Sequence, residues 1–275
     1  MRFTMKRKQL VLLLCILVVV VFLLIGIFGS LQVEVTTYTV CAPNLPQSFN
    51  GFCIVQISDL HNTEFGPHNE QLLSLIRTAK PDMIVVTGDL IDSYRTKPDV
   101  SLSFMEEAVK IAPCYYVCGN HELRMPNEYA SLKNSMQKYG VIVLEDRSLL
   151  LQNGNEHIQL MGLVDRSKLS AKQLPELIDL NLYTILLSHR PEHFSAYEQF
   201  GADLVFSGHA HGGQIRLPII GALFAPGEGF FPKYADGLHT VGNTTLVVSR
   251  GLGNSSFPFR FYCPPELVVL RLMCK

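Results

Sequence analysis

Two histidines separated by one alanine stand in a glycine-rich stretch, SGHAHGGQI, at residues 207–215. Where glycines let the backbone turn, His209 and His211 can converge on one point. Convergent imidazoles suit a metal ion; a polar turn between two strands is the other reading of this stretch taken alone. Four more stretches carry side chains of the same kinds. SDLH offers Asp59 and His61, TGDLID offers Asp89, CGNHE offers Asn120, His121 and Glu122, and LSHRPEH offers His189. Carboxylate oxygen, amide oxygen and neutral imidazole nitrogen suit manganese, iron or zinc. Asp59, His61, Asp89, Asn120, His189, His209 and His211 together exceed what one ion needs, and are enough for two ions sharing a bridging carboxylate. Two ions ~3.5–4 Å apart clamp the attacking and leaving oxygens of a displacement at phosphorus, and acidify a shared water.

Each group follows an apolar run of strand type. FCIVQIS (52–58), DMIVVTG (82–88) and CYYVCG (114–119) are short and rich in β-branched or aromatic residues. Between them lie stretches of helical spacing. NEQLLSLIRTAK (69–80) puts Leu72, Leu73, Ile76 and Ala79 on one side and is ended by Pro81. DVSLSFMEEAVK (99–110) has Asp99 as an N-cap, and NEYASLKNSMQKYG (127–140) is closed by Gly140. This is the βαβαβα pattern of a sheet with helices on its faces. In the second half, SLLLQNGNEHIQLMGLV (148–164) reads as two strands around an Asn153-Gly154 turn. A helix near 170–179 and the strand-like runs YTILLSH (183–189), ADLVFSGH (202–209), HTVGNTTLVVSR (239–250) and PELVVLRL (265–272) follow. No composition break divides the halves. Residues 51–275 are expected to form one α/β domain, a sandwich of two mixed β-sheets flanked by helices. In open α/β sheets ligands bind at the carboxyl ends of strands. One aspartate or asparagine there is an ordinary cap or turn; five such strand ends together point to a site.

The chain's 275 residues and 48% apolar content support a sizeable core. A net charge of −1 hides a split. Arg2, Lys6, Arg7 and Lys8 lie in the first thirty residues with no acid, so the remainder is net acidic. That body lacks the basic stripe a nucleic-acid surface needs. LVLLLCILVVVVFLLIGIFG, residues 10–29, has no charge and at 1.5 Å per residue reaches ~30 Å, the thickness of a bilayer core. A cleaved signal peptide would carry a shorter apolar region and small residues at its end. The expected organisation is a basic cytoplasmic tail (1–9), a transmembrane anchor (10–30), a linker into the domain (31–50) and an extracytoplasmic domain (51–275) in the cell membrane. The cysteines show no C-x-x-C spacing; Cys53, Cys114 and Cys118 fall in strand-like runs, as small buried hydrophobes do.

The blocks DLH, GDLID, GNHE, an isolated histidine and GHAH, in that order over residues 59–211, resemble the calcineurin-like metallophosphoesterases. The later GGQIRLP, APGEGFFPKYADG and RGLGNSSFPFRFYCPPEL resemble a bacterial membrane-anchored branch of that superfamily. The resemblance covers nearly all of the soluble part. It implies a first metal held by Asp59, His61 and His211, a second held by Asn120, His189 and His209, and Asp89 bridging them. His121 is similar to the family's non-ligand histidine, which protonates or stabilises the leaving oxygen; support of the site through hydrogen bonds is its alternative role. The resemblance further implies two divalent ions per chain, manganese first, with iron or zinc as alternatives. A metal-bridging hydroxide would hydrolyse a phosphodiester or pyrophosphate bond in a phosphorylated small molecule, membrane lipid or cell-envelope substrate. A phosphomonoesterase and a metal-retaining envelope-binding protein remain the alternatives.

LPIIGALFAPGEGFFPKYADG (217–237) follows directly after the metal histidines. It reads as a loop packed on the domain, or as a wall for a lipid-like substrate or a patch on the bilayer with Phe224, Phe230 and Phe231 as contacts. Arg190, Arg250 and Arg260 lie in loops near the expected site, where an arginine fork could hold a second phosphate; each also reads as a surface or structural arginine.

Overall fold

The computed structural model describes residues 7–169, 178–254 and 257–275. The uncharged run forms helix α1 (Arg7–Phe28). Its Lys8–Phe28 portion is long and apolar enough to cross a membrane, and nearly all of it is exposed. Its apolar side chains lie on every side of the helix rather than along one stripe.

The segment 31–50, expected as a linker, contains strand β1 (Glu34–Ala42), a member of the domain's sheet. Val35, Thr36, Thr37, Thr39 and Val40 are β-branched and favour this state. The partner that orders it is the last strand of the chain, so no local turn signal marks it. The strands that follow are β2 (Cys53–Ile57), β3 (Met83–Thr87), β4 (Cys114–Val117), the two-residue β5 (Ile142–Val143), β6 (Arg147–Asn153), β7 (Glu156–Gly162), β8 (Thr184–Leu187) and β9 (Leu204–Ser207). Four two-residue strands then fold the apolar segment after the histidines: β10 (Arg216–Leu217) with β11 (Gly221–Ala222), and β12 (Phe224–Ala225) with β13 (Gly229–Phe230). The chain ends in β14 (Gly237–Val241), β15 (Thr244–Val248) and β16 (Glu266–Cys274). The run 239–250 is thus a hairpin rather than one strand. The turn between β6 and β7 is Gly154-Asn155, one residue later than expected. Gly154 has φ 60, and the first central position of a tight hairpin turn favours glycine.

The strands form two mixed six-stranded sheets, ordered β1-β16-β2-β3-β4-β5 and β14-β15-β9-β8-β7-β6. Within them β2, β3, β4 and β5 run parallel, as do β15, β9, β8 and β7. Parallel strands need both faces covered. Between the sheets lie Ile54, Val85, Val117, Leu160, Ile185, Leu187, Phe206, Val247 and Leu270, all fully buried. The outer face of the first sheet is covered by α2 (Glu70–Ala79), α3 (Pro98–Ala108) and α4 (Pro126–Tyr139) through Leu72, Ile76, Phe104, Leu132 and Met136. The outer face of the second packs on α5 (Phe194–Phe200) through Phe194 and Tyr197. Each such side chain contributes roughly 1.5–3 kcal/mol by leaving water. Helix α3 begins at Pro98 rather than after a cap at Asp99, because proline's fixed φ suits the first helical position; Asp99 sits in the first turn instead. The helix expected near 170–179 falls largely outside the described residues. Cys53, Cys114 and Cys118 are buried.

Gln56 joins the two sheets near their carboxyl ends. Its amide nitrogen donates to Thr87 Oγ1 at 3.0 Å, at the end of β3, and to Ser207 O at 2.9 Å, at the end of β9. The ends of β2, β3, β4, β8 and β9 therefore meet at one edge of the sandwich.

Candidate metal centre

At that edge the chain turns sharply as β2, β3 and β9 stop. Asp59 (φ 52), His61 (φ 46), Asp89 (φ 51), His209 (φ 65) and His211 (φ 52) all occupy the left-handed region, which costs a non-glycine residue roughly 1 kcal/mol or more. The glycines between them serve closeness as well as rotation. Gly208 does not take a positive φ; a Cβ on it would overlap Ser58 Oγ and Asp59 Oδ2. Gly212 (φ 60) and Gly213 (φ 77) then carry the chain away.

All seven expected donors come together, and all are buried. Asp59, His61, Asp89 and His211 each offer an atom within 4.8 Å of the others; so do Asp89, His189 and His209. In the first group His61 Nε2 lies 3.2 Å from His211 Nε2 and 3.7 Å from Asp89 Oδ2, while His211 Nε2 lies 3.4 Å from Asp59 Oδ1. In the second, His189 Nε2 lies 3.2 Å from Asp89 Oδ2, 3.1 Å from His209 Nδ1 and 3.3 Å from Asn120 Oδ1. Asp89 belongs to both groups.

This donor set fits a cation. His189 Nδ1 sits 2.7 Å from the carbonyl of Thr87, so that nitrogen carries the proton and Nε2 faces the group. The Asn120 oxygen then meets acceptor with acceptor. Turning the amide over would place its nitrogen 2.8 Å from His209 Nδ1; a cation would satisfy the same atoms without the turn. The electrostatics agree. Burial pushes His61 down to about 3 and holds His209 and His211 well below the usual imidazole range, which keeps their lone pairs free for a metal. Burial raises Asp59 to about 6. Burial opposes charge on both Asp89 and His189 as well. Their mutual attraction nevertheless holds the carboxyl well below its usual range and the imidazole well above. A proton on His189 thus does, without metal, part of what a divalent cation would do.

His121 lies beside the first group, its ring edge-on to His61 with centroids 4.5 Å apart. The backbone N–H of Ser93 donates to His121 Nδ1 at 3.0 Å, which assigns the remaining proton of the neutral ring to Nε2. Burial lowers its pKa.

Three features escaped sequence reasoning. Glu122, fully buried, accepts the backbone N–H groups of Gly119 (2.7 Å), Asp89 (2.9 Å) and Ile91 (3.1 Å); burial, then the Asp89 charge, raises it to about 7. It ties the loop after β3 to the loop after β4. Its one signal was an acidic residue inside CGNHE. Asp165, with no motif around it, accepts Arg190 Nε and Nη2 at 2.7 and 3.1 Å. Ser58 donates to Asp59 Oδ2 at 2.6 Å.

None of the three arginines offers a free fork. Arg190 stands 3.3 Å from His209 Nε2 but is held by Asp165 and by Glu192 at 3.2 Å. Arg250 pairs with Glu34 and Glu266 at 3.0 and 3.1 Å. Arg260 is buried and donates to the carbonyls of Arg250 (2.9 Å) and Gly253 (2.5 Å).

Comparison with known proteins agrees with this geometry. The calcineurin-like phosphoesterase family model matches residues 53–213, more than half of the chain. The uncharacterized metallophosphoesterase YkuE of Bacillus subtilis (strain 168) is 31% identical, over 88% of this chain and 86% of its own. The phosphodiesterase YaeI of Escherichia coli (strain K12) is 30% identical, over 81% and 82%. The crystal structure of TT1561 of Thermus thermophilus superposes with a TM-score of 0.49 at 14% identity, over 74% of this chain and 90% of that one. With one carboxylate common to two donor groups at the ends of five strands, and with the family model and the two bacterial relatives matching, the chain belongs to the calcineurin-like phosphoesterases and is a metal-dependent phosphoric ester hydrolase.

Proposed function

We propose that this protein hydrolyses a phosphodiester or pyrophosphate bond with two divalent ions, manganese first and iron or zinc as alternatives. Asp59, His61 and His211 would hold one ion; Asn120, His189 and His209 would hold the other; Asp89 would serve both. The observation that carries this reading is the placement of Asp89 in both donor groups. When bound, such a pair supplies Lewis acidity at phosphoryl oxygen and a water acidic enough to ionise near neutral pH.

The chain's own residues do the rest. Glu122 holds the Asp89 backbone, and the backbone N–H of His121 donates to Asp89 Oδ1 at 2.8 Å, so the shared carboxylate is fixed on two sides. His121 Nε2 carries the proton that a leaving oxygen needs, a role worth roughly 10²–10⁴ in rate. The relative named a phosphodiesterase supports the diester over the monoester. Residues 10–30, most of them in helix α1, would anchor the protein in the cell membrane, with the basic tail 1–9 in the cytoplasm and 51–275 outside. A lipid or cell-envelope phosphate would then be within reach.

The test uses full-length protein in detergent, stripped of metal and then reloaded. We expect two ions per chain by elemental analysis and cleavage of bis-p-nitrophenyl phosphate. Asp89→Ala should lose both metal and activity. His121→Ala should keep the metal and lose at least ~10²-fold in rate. Good cleavage of p-nitrophenyl phosphate without diester cleavage would make the protein a monoesterase. Two ions with neither activity would leave an envelope-binding protein.

A further inference from the structure

The end of α1 is clamped to the domain. The backbone N–H of Tyr262 donates to Gly26 O at 3.0 Å, and that of Cys263 to Ser30 Oγ at 3.0 Å. Phe22 packs against the rings of Phe261 and Tyr262, with centroids 5.5 and 5.2 Å away. A Cβ on Gly26 would overlap the Phe261 ring, so glycine is what permits the approach. Phe22 lies six residues before the helix end at Phe28, about 9 Å along the axis at 1.5 Å per residue. A helix of this length just spans a hydrocarbon core of ~30 Å. With α1 as a membrane span, the loop that touches Phe22 would sit at the depth of the acyl chains, not above the headgroups.

That loop is continuous with an exposed apolar surface. Phe261 exchanges backbone hydrogen bonds with the segment after the metal histidines: Phe261 N to Gln214 O, and Arg216 N to Phe261 O, both at 2.9 Å. From there Leu223 bonds to Ile215 and Phe231 to Leu223, and Phe224 packs edge-on against Phe230. Ile219 is fully exposed, Phe230 78% and Phe231 68%, with Phe257 and Phe259 also exposed. Phe224 and Phe257 line a narrow cleft against His211. The one acid in residues 217–235, Glu228, is turned inward onto the N–H groups of Lys233 and Tyr234. Five large apolar side chains in contiguous loops exceed what scattered surface hydrophobics explain, and the helix beside them says which phase covers them.

We propose that loops 217–231 and 257–262 rest in the bilayer leaflet through which α1 emerges, so that the His211 side of the donor groups faces that leaflet. The proposal rests on α1 being a membrane span. It fixes the domain's orientation: the site opens at the lipid surface, where an amphiphile's phosphate lies, and does not swing free on a tether.

The chain has no tryptophan, so one introduced indole reports its own surroundings. Full-length protein would be placed in phosphatidylcholine nanodiscs with and without acyl-chain bromine. Phe231→Trp and Phe259→Trp test the loops, Val18→Trp the helix, and Leu150→Trp, exposed on β6, the aqueous side. We expect bromine to quench Val18→Trp more than twofold, Phe231→Trp and Phe259→Trp by about a third to a half, and Leu150→Trp not at all. If Val18→Trp is quenched and Phe231→Trp reads like Leu150→Trp, the docking is wrong and the anchor stands. A Phe231→Trp emission already blue-shifted but insensitive to bromine would assign the patch to a protein partner or a second copy, and overturn the proposal. No quenching at Val18→Trp removes the span and the proposal with it.

Discussion

Replacing Gly208 by alanine tests whether the close approach at the end of β9 exists to hold Asp59. Gly208 does not take a positive φ, so alanine meets no backbone penalty and only space decides the outcome. The added Cβ would overlap Ser58 Oγ and Asp59 Oδ2. To reach ordinary contact, the carboxylate must retreat by about 1 Å. Asp59 is held by Ser58 Oγ at 2.6 Å and by the His209 N–H at 3.1 Å to each oxygen, and the retreat breaks at least one of these. Metal–ligand distances tolerate only about ±0.2 Å, so one donor of the first group is lost. Overpacking costs roughly 1–3 kcal/mol, and a ~1 Å misplacement near the reacting atoms costs about 10² in rate. We expect G208A to bind about one ion instead of two, to lose about 100-fold in kcat/KM, and to melt roughly 2–10 °C lower. Elemental analysis, bis-p-nitrophenyl phosphate turnover and circular dichroism would be read on one preparation. Adding Ser58→Ala removes the nearer obstruction, so the double variant should recover stability, a non-additive result expected of touching residues. G208A with two ions and wild-type turnover would show that Asp59 has room to spare, and the argument from crowding would fail.

The pH dependence of metal binding follows from the same carboxylate. Asp59 is raised to about 6, chiefly by burial, while burial lowers His61 to about 3 and holds His211 well below the usual imidazole range. An incoming cation must displace the Asp59 proton only below its pKa. Affinity at the first donor group should therefore be flat from pH 8 to about 6 and fall tenfold per unit below that. A slope of three per unit in competition titrations would mean that the histidines are protonated, contrary to their burial. Arg260→Met removes donors from two buried carbonyls at 2.5 and 2.9 Å, each worth ~1–3 kcal/mol when left unpaired, so Tm should drop by roughly 5–10 °C. A rise in Tm on thermal unfolding would show that burying this guanidinium costs more than its hydrogen bonds return.

The buried strands were legible because their runs are local: CIVQI, MIVVT and CYYV are buried at every position, and their shortness and β-branched or aromatic content mark strands. The donors were legible because each follows such a run. What stayed hidden depends on distant partners. β1 is ordered by β16, with Glu34 opposite Glu266, and nothing near residue 34 announces that. Glu122 was visible as an acid beside a histidine, but its work is done on the backbone of residues 89 and 91, in another loop. Asp165 became meaningful only once Arg190 lay against it.

The left-handed donors show why the site needs a whole sandwich. Five donors sit at positive φ, and at roughly 1 kcal/mol or more each the arrangement strains the chain by an amount comparable to a domain's entire net stability. Gly208 gives the close approach and Gly212 and Gly213 the unusual angles expected of them, yet His209 and His211 take unfavourable angles as well. The reason is geometric. At the ends of β2, β3 and β9 a side chain is needed where the backbone reverses, so that Asp59, His61, Asp89, His209 and His211 point inward at one another, while His189 and Asn120 join them without a positive φ. Local propensity opposes every one of those turns. They persist because Gln56 bolts the two sheets together beneath them, Glu122 gathers three backbone N–H groups behind Asp89, and the buried residues between the sheets leave the strand ends no room to relax.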